Sequence, residues 1–144
     1  MLKTVLSHFY ERDIRKLIEE VNLFKDEGNL WKTGGSVKNS GGNLVLHITG
    51  NLNHFIGATL ADTGYVRDRD GEFTRKGVPK KDLVAGLEEL IPMARATVAA
   101  VDFEGEYPVE FAGANRSIGY MMVHLLAHLN YHLGQVNYLR RILE

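Results

Sequence analysis

The sequence predicts an all-α protein, a four-helix bundle. Three observations predict it: four segments carry apolar residues at alternating spacings of three and four, strand-like alternation is confined to one short patch, and 44% of positions are apolar. A chain of 144 residues with that apolar share buries most of its apolar surface in one core, so residues 1–144 are expected to form a single domain.

The first helix is expected over residues 2–27, where Leu2, Val5, Leu6, Phe9, Ile14, Leu17, Ile18, Val21 and Phe24 recur with charges between them. Gly28 is placed to end it. Residues 32–42 (KTGGSVKNSGG) are too rich in Gly, Ser and Asn to continue a helix and read as a flexible linker. Its glycines suggest a phosphate cradle, but the segment follows no strand and lacks the closing Gly-Lys-Ser/Thr. Ser40 or Asn43 can cap the second helix, expected over residues 43–63 and stopped by Gly64.

Residues 65–80 (YVRDRDGEFTRKGVPK) carry charges and a proline and read as a long loop, of the kind that is often functional. Asp68, Asp70 and Glu72 there lack the register of a calcium loop and are expected to be solvated. The third long helix fits residues 81–101, with Leu83, Val84, Leu87, Leu90, Ile91 and Val98 on one side and Pro92 predicting a kink or break. The patch Tyr107, Val109, Phe111 is too short to alter the class. Ser117 then caps a last helix that runs almost to the C-terminus on a core stripe of Met122, Leu126, Leu129, Leu133 and Val136. Trp31, beyond the first helix, reads as a packing anchor.

Charge excludes whole classes of function. The formal charge is -1 with both signs interspersed, so no basic stripe exists to neutralise phosphates or hold an anionic bilayer, and neither nucleic acid nor membrane is an expected partner. No apolar run approaches the roughly 20 residues that span a bilayer, and Glu11 and Arg12 come too early for a secretory leader, so the expected location is cytoplasmic. Cysteine is absent, so any metal must be held by nitrogen or oxygen.

Six histidines are present, and five fall in two of the expected helices. His124, His128 and His132 are successive i, i+4 neighbours, adjacent members lying roughly 6 Å apart on one flank, a spacing that lets a pair share an ion. A third ligand must cross from another helix, and bundle axes roughly 8–10 Å apart permit it. His47 and His54 are the candidates; they lie about 10 Å apart along the axis, so only one can join, and spacing leaves both open. The alternative is a set of core histidines satisfied by hydrogen bonds. It is the simpler account of any one of them but not of the ladder, because an unpartnered buried imidazole costs about 1–3 kcal/mol.

The run HLLAHLNYHLGQVNYLRR (residues 124–141), with LVLHITGNLNHFIGATL (residues 44–60), resembles the DinB-like superfamily of metalloproteins, and RDRDGEF (residues 67–73) is similar to one subgroup of it. The resemblance implies an up-down-down-up bundle, a homodimer, and a three-histidine site of His47, His128 and His132 holding zinc or nickel. His54 and His124 become its neighbours. Gln135, in the Gly-Gln pair that follows, either orients a ligating imidazole or lies on the helix surface. Leu133 stands where many relatives have arginine.

Three neutral imidazoles leave coordination positions open, as in catalytic rather than structural zinc sites. The relation to bacillithiol- and mycothiol-type transferases implies a metal-dependent thiol S-transferase acting on small electrophiles, with a low-molecular-weight thiol as partner. A hydrolase is the weaker enzymatic alternative, because Leu129, Asn130 and Tyr131 between the histidines supply no general base. The non-catalytic alternative is a metal- or small-molecule-binding stress-response protein; a substrate-sized pocket lined by polar groups of residues 65–80 would separate the two.

Overall fold

Apolar residues at spacings of three and four oblige a helix to lay one stripe against its neighbours. In the computed structural model, which describes residues 1–144, four long helices do so and no strand forms. Helix α1 (Leu2–Leu23) buries Leu6, Tyr10, Ile14, Leu17 and Val21. It ends before the expected position because Phe24 and Leu30 are both core residues, and the chain must turn to bury both. Asp26 accepts from the Gly28 N–H at 2.8 Å and opens a 3₁₀ turn over Glu27–Trp31, so Gly28 lies inside that turn rather than terminating α1.

Helix α2 (Gly41–Leu52) is capped by Ser40, whose Oγ accepts from the Asn43 N–H at 3.2 Å. It continues through a π-helical stretch over Asn53–Ala58, a widening often found at functional sites. Asp62 and Gly64, both at positive φ, then reverse the chain. The expected loop contains a short helix, α3 (Arg69–Thr74), capped by the Asp68 carboxylate accepting from the Gly71 N–H at 3.1 Å. Helix α4 (Lys80–Ala100) runs through Pro92 without the expected break; Pro92 is exposed.

Ser117 caps α5 (Ile118–Leu143), accepting from the Tyr120 N–H at 3.0 Å. Its buried stripe is Met121, Met122, Leu125, Leu129, Leu133, Val136 and Leu139, and Leu126 is only half-buried at the edge. The patch around Tyr107 makes isolated bridges, Glu106 with Ser117 and Phe111 with Ala114. No helix is long and apolar enough to cross a membrane.

Helix α1 lies against α4 and α5, and α2 lies against the same two. The ends are tied: Lys3 Nζ donates to the Ala99 carbonyl at 3.4 Å, Lys80 Nζ to that of Phe24 at 2.7 Å, and Glu144 accepts from the Lys25 and Asp26 N–H groups. One connected apolar cluster draws on all four long helices.

Trp31 packs over the start of α2, where only a glycine fits. A Cβ at Gly42 would lie 2.7 Å from Trp31 Cη2 and 2.9 Å from the Leu30 carbonyl oxygen. Gly42→Ala is therefore expected to destabilise the protein by about 1–3 kcal/mol, read as a lower urea midpoint at unchanged slope.

Candidate metal centre

The i, i+4 spacing puts His128 and His132 on one flank of α5, and α2 presents His47 to them. His128 Nε2 lies 3.2 Å from His47 Nε2 and 3.1 Å from His132 Nε2. One nitrogen of each ring falls within 4.8 Å of the others. His47 is buried and the other two are half-buried. Of the two α2-side candidates it is thus His47 that joins the pair. His54 lies in the π-helical stretch with its ring 4.8 Å from Phe55, and His124, one turn before His128, packs against Phe111 at 4.8 Å and parallel to Tyr120 at 6.3 Å.

Each outer ring is held from behind. His47 Nδ1 is 3.0 Å from Glu72 Oε1, and His132 Nδ1 is 2.7 Å from Gln135 Oε1. Gln135 thus meets an imidazole from an exposed position on the helix surface. Glu72 corrects a second expectation: it is not solvated but 2% exposed, with Arg67 Nε donating to Oε2 at 2.8 Å and Arg67 Nη2 to Oε1 at 3.0 Å. Phe73 packs against the His47 ring at 4.8 Å, the two planes tilted by 37°. Asn43 fastens the segment to α2, its Nδ2 donating to the carbonyls of Glu72 at 2.9 Å and Arg75 at 2.8 Å. Nothing in the residue pattern distinguishes Glu72 from Asp68 or Asp70; the one available signal was the likeness of the RDRDGEF segment.

Carboxylate and amide oxygens only accept, so both outer rings carry their proton on Nδ1 and turn a bare Nε2 towards His128. One Nε2–H on His128 can satisfy only one of the two contacts; the other would set lone pair against lone pair. A shared cation removes the conflict. Zinc–nitrogen bonds of about 2.0–2.1 Å at tetrahedral angles separate the nitrogens by about 3.4 Å, near the 3.1 and 3.2 Å observed. The three residues therefore fit a divalent metal. Protonation does not compete at neutral pH. Burial pushes His128 down to about 4, with positive charge on His132 or His47 adding to the effect. Burial also lowers His47, opposed by its bond to Glu72, and His132, opposed by its bond to Gln135. One turn along α2 from His47, Asn51 holds a buried Oδ1 with no partner.

A cavity of about 420 Å³ abuts the site, with His132 and Gln135 in its wall. The 65–80 segment contributes none of its lining, so the cavity lacks the polar wall expected to separate an enzyme from a binding protein. The expected linker contributes Val37, Lys38 and Asn39, and the last turns of α5 contribute Tyr138, Leu139 and Ile142.

A family model described as the DinB superfamily matches residues 10–136, a span that includes His47, Glu72, His128, His132 and Gln135. No curated protein matches the chain.

Glu72→Gln is expected to weaken zinc binding about 10- to 100-fold in competition with a chromophoric chelator. Gly50→Ala should act in the same direction and also lower stability, because a Cβ at Gly50 would overlap Glu72 Oε2 and lie 2.6 Å from its Cδ. The depressed histidines bind protons more weakly folded than unfolded. Their contribution to the stability of metal-free protein is thus complete above about pH 6.5 and is lost as pH falls towards 4. Thermal melts of chelated protein across that window should show the loss, and His128→Gln should flatten the slope.

Proposed function

The chain belongs to the DinB superfamily, and we propose that it is a metal-dependent thiol S-transferase that joins a low-molecular-weight thiol to a small electrophile, with zinc or nickel on His47, His128 and His132. The observation that carries this reading is the convergence of three uncharged imidazoles whose outer members are oriented by Glu72 and Gln135. The fastening of α1 to α4 and α5 at their ends supports an up-down-down-up bundle as the frame.

A divalent ion there supplies one thing, a lowered pKa for a thiol bound at an open position, so that the sulfur is anionic at neutral pH. The rest falls to the chain. Glu72 and Gln135 fix the tautomers and aims of His47 and His132, which spares the site reorganisation when charge arrives. The cavity beside His132 seats the electrophile. The thiol proton leaves to solvent, the sulfur pair forms a C–S bond, and the leaving group departs with its own pair; an electrophile that reacts by addition takes a proton back instead.

A hydrolase is less well supported, because hydrolysis needs a general base near the water. Glu72, the carboxylate bonded to the cluster, has both oxygens engaged by His47 and Arg67. Binding without turnover, as in a stress-response protein, is the second reading and shares the same site.

Elemental analysis of tag-free protein is expected to find stoichiometric zinc or nickel in the wild type and none in His128→Ala. Metal in neither, even after reloading, would overturn the site. The loaded protein should then accelerate thiol consumption by 1-chloro-2,4-dinitrobenzene over the chelated protein. Loading that raises the melting temperature without any acceleration would leave the binding reading in its place.

A further inference from the structure

The cavity beside His132 has a chemical character of its own. Leu44, Tyr138, Leu139, Ile142 and Val37 make it largely apolar, and at about 420 Å³ it lies in the usual size range of small-molecule sites. Its charged wall residue is Lys38; no aspartate or glutamate lines it. Every ion pair of the protein is made by other residues, and no hydrogen bond engages the Lys38 ammonium. The wall therefore offers an apolar floor, one free cation and no anion to repel a negative group.

The broader depression on the other side of Tyr131 and Tyr138 differs. It is lined by Lys16, Glu19 and Glu20, and Glu20 is already engaged by Asn137 Nδ2 at 2.6 Å and Arg140 Nε at 2.9 Å. Its acidic groups disfavour an anionic ligand.

We propose that the cavity between residues 37–39 and the end of α5 binds a small amphiphilic anion, an aromatic or branched aliphatic body carrying one carboxylate or sulfonate. The body rests on Leu44, Tyr138, Leu139 and Ile142, the anionic group meets Lys38, and the end at His132 and Gln135 faces the metal centre. The proposal deepens the transferase reading and rests on it for the ligand's role as electrophile, but the cavity's selectivity can be tested by itself. Because Lys38 is exposed, its charge tunes affinity and does not dominate it; the apolar wall supplies most of the binding.

The test uses the full chain as purified, its metal content measured, titrated with 2-naphthoate, 2-naphthylmethanol and 2-naphthylmethylammonium and followed by amide shifts in nuclear magnetic resonance. The expected result is shifts centred on Val37, Lys38, Tyr138 and Ile142, with naphthoate bound about fivefold more tightly than the alcohol at low salt and the ammonium weakest. Raising the salt should shrink that preference. Lys38→Glu should reverse the order of the charged probes with the alcohol unchanged, and the uncharged Ile142→Asn, at an exposed position, should weaken all three. Equal binding of the three probes, shifts centred on Glu19 and Glu20, or no saturable binding would each overturn the proposal. An anion preference retained in His128→Ala protein that holds no metal would uphold the cavity whatever becomes of the transferase reading. Metal-dependent thiol transfer by a protein that binds the three probes equally would do the reverse.

Discussion

The site depends on the hydrogen bond between the Glu72 carboxylate and His47. A carboxylate buried to 2% exposure costs several kcal/mol in lost hydration unless charge and donors replace the water. Arg67 supplies the opposite charge and two donors, and the His47 ring supplies the third. Gly50, three residues along α2 from His47, leaves the volume the carboxylate occupies. Asn43, itself buried, binds the carbonyls behind it and holds α3 against α2. Removal of any one of these leaves a buried charge or an idle donor, so the group stands as a unit.

The opposite half of the site depends on how α5 is rotated. Asn130, between His128 and His132, donates to Asp13 of α1 at 3.0 Å, and Asp13 is buried and also bonded by Arg12 Nε at 2.8 Å. Further along, Glu20 accepts from Asn137 and Arg140. Apolar contact alone tolerates small rotations of a helix, whereas these polar contacts fix which residues of α5 face α1. His128 and His132 are turned towards α2 as the consequence. The leucines beneath them, Leu129 and Leu133, are buried and complete the seat.

A polar cluster beside a largely apolar cavity suits the proposed chemistry between a small thiol and an amphiphilic electrophile, since each needs a different solvent. The three rings are uncharged at neutral pH because burial penalises the imidazolium. The same burial keeps the charge of Glu72 and Arg67 local, one shell behind the nitrogens that converge.

Sequence by itself determined the four long helices and the cap Ser117, and narrowed the cap of the second to Ser40 or Asn43, because each rests on contacts within one turn of chain. Spacing left either adjacent pair of His124, His128 and His132 open and the third histidine at two candidates; only the likeness of the motifs pointed to His47, His128 and His132. Two matters were decided only by tertiary structure. Glu72 is chemically like Asp68 and Asp70 beside it, and only the hollow at Gly50 and the donors of Arg67 and His47 make burial affordable there. Residues 37–39 read as linker, yet they wall a cavity, because a glycine-rich segment takes its path from what it packs against and not from its own propensity. Local periodicity fixes what one helix does alone; the partners of a buried charge lie far along the chain, where no spacing rule reaches.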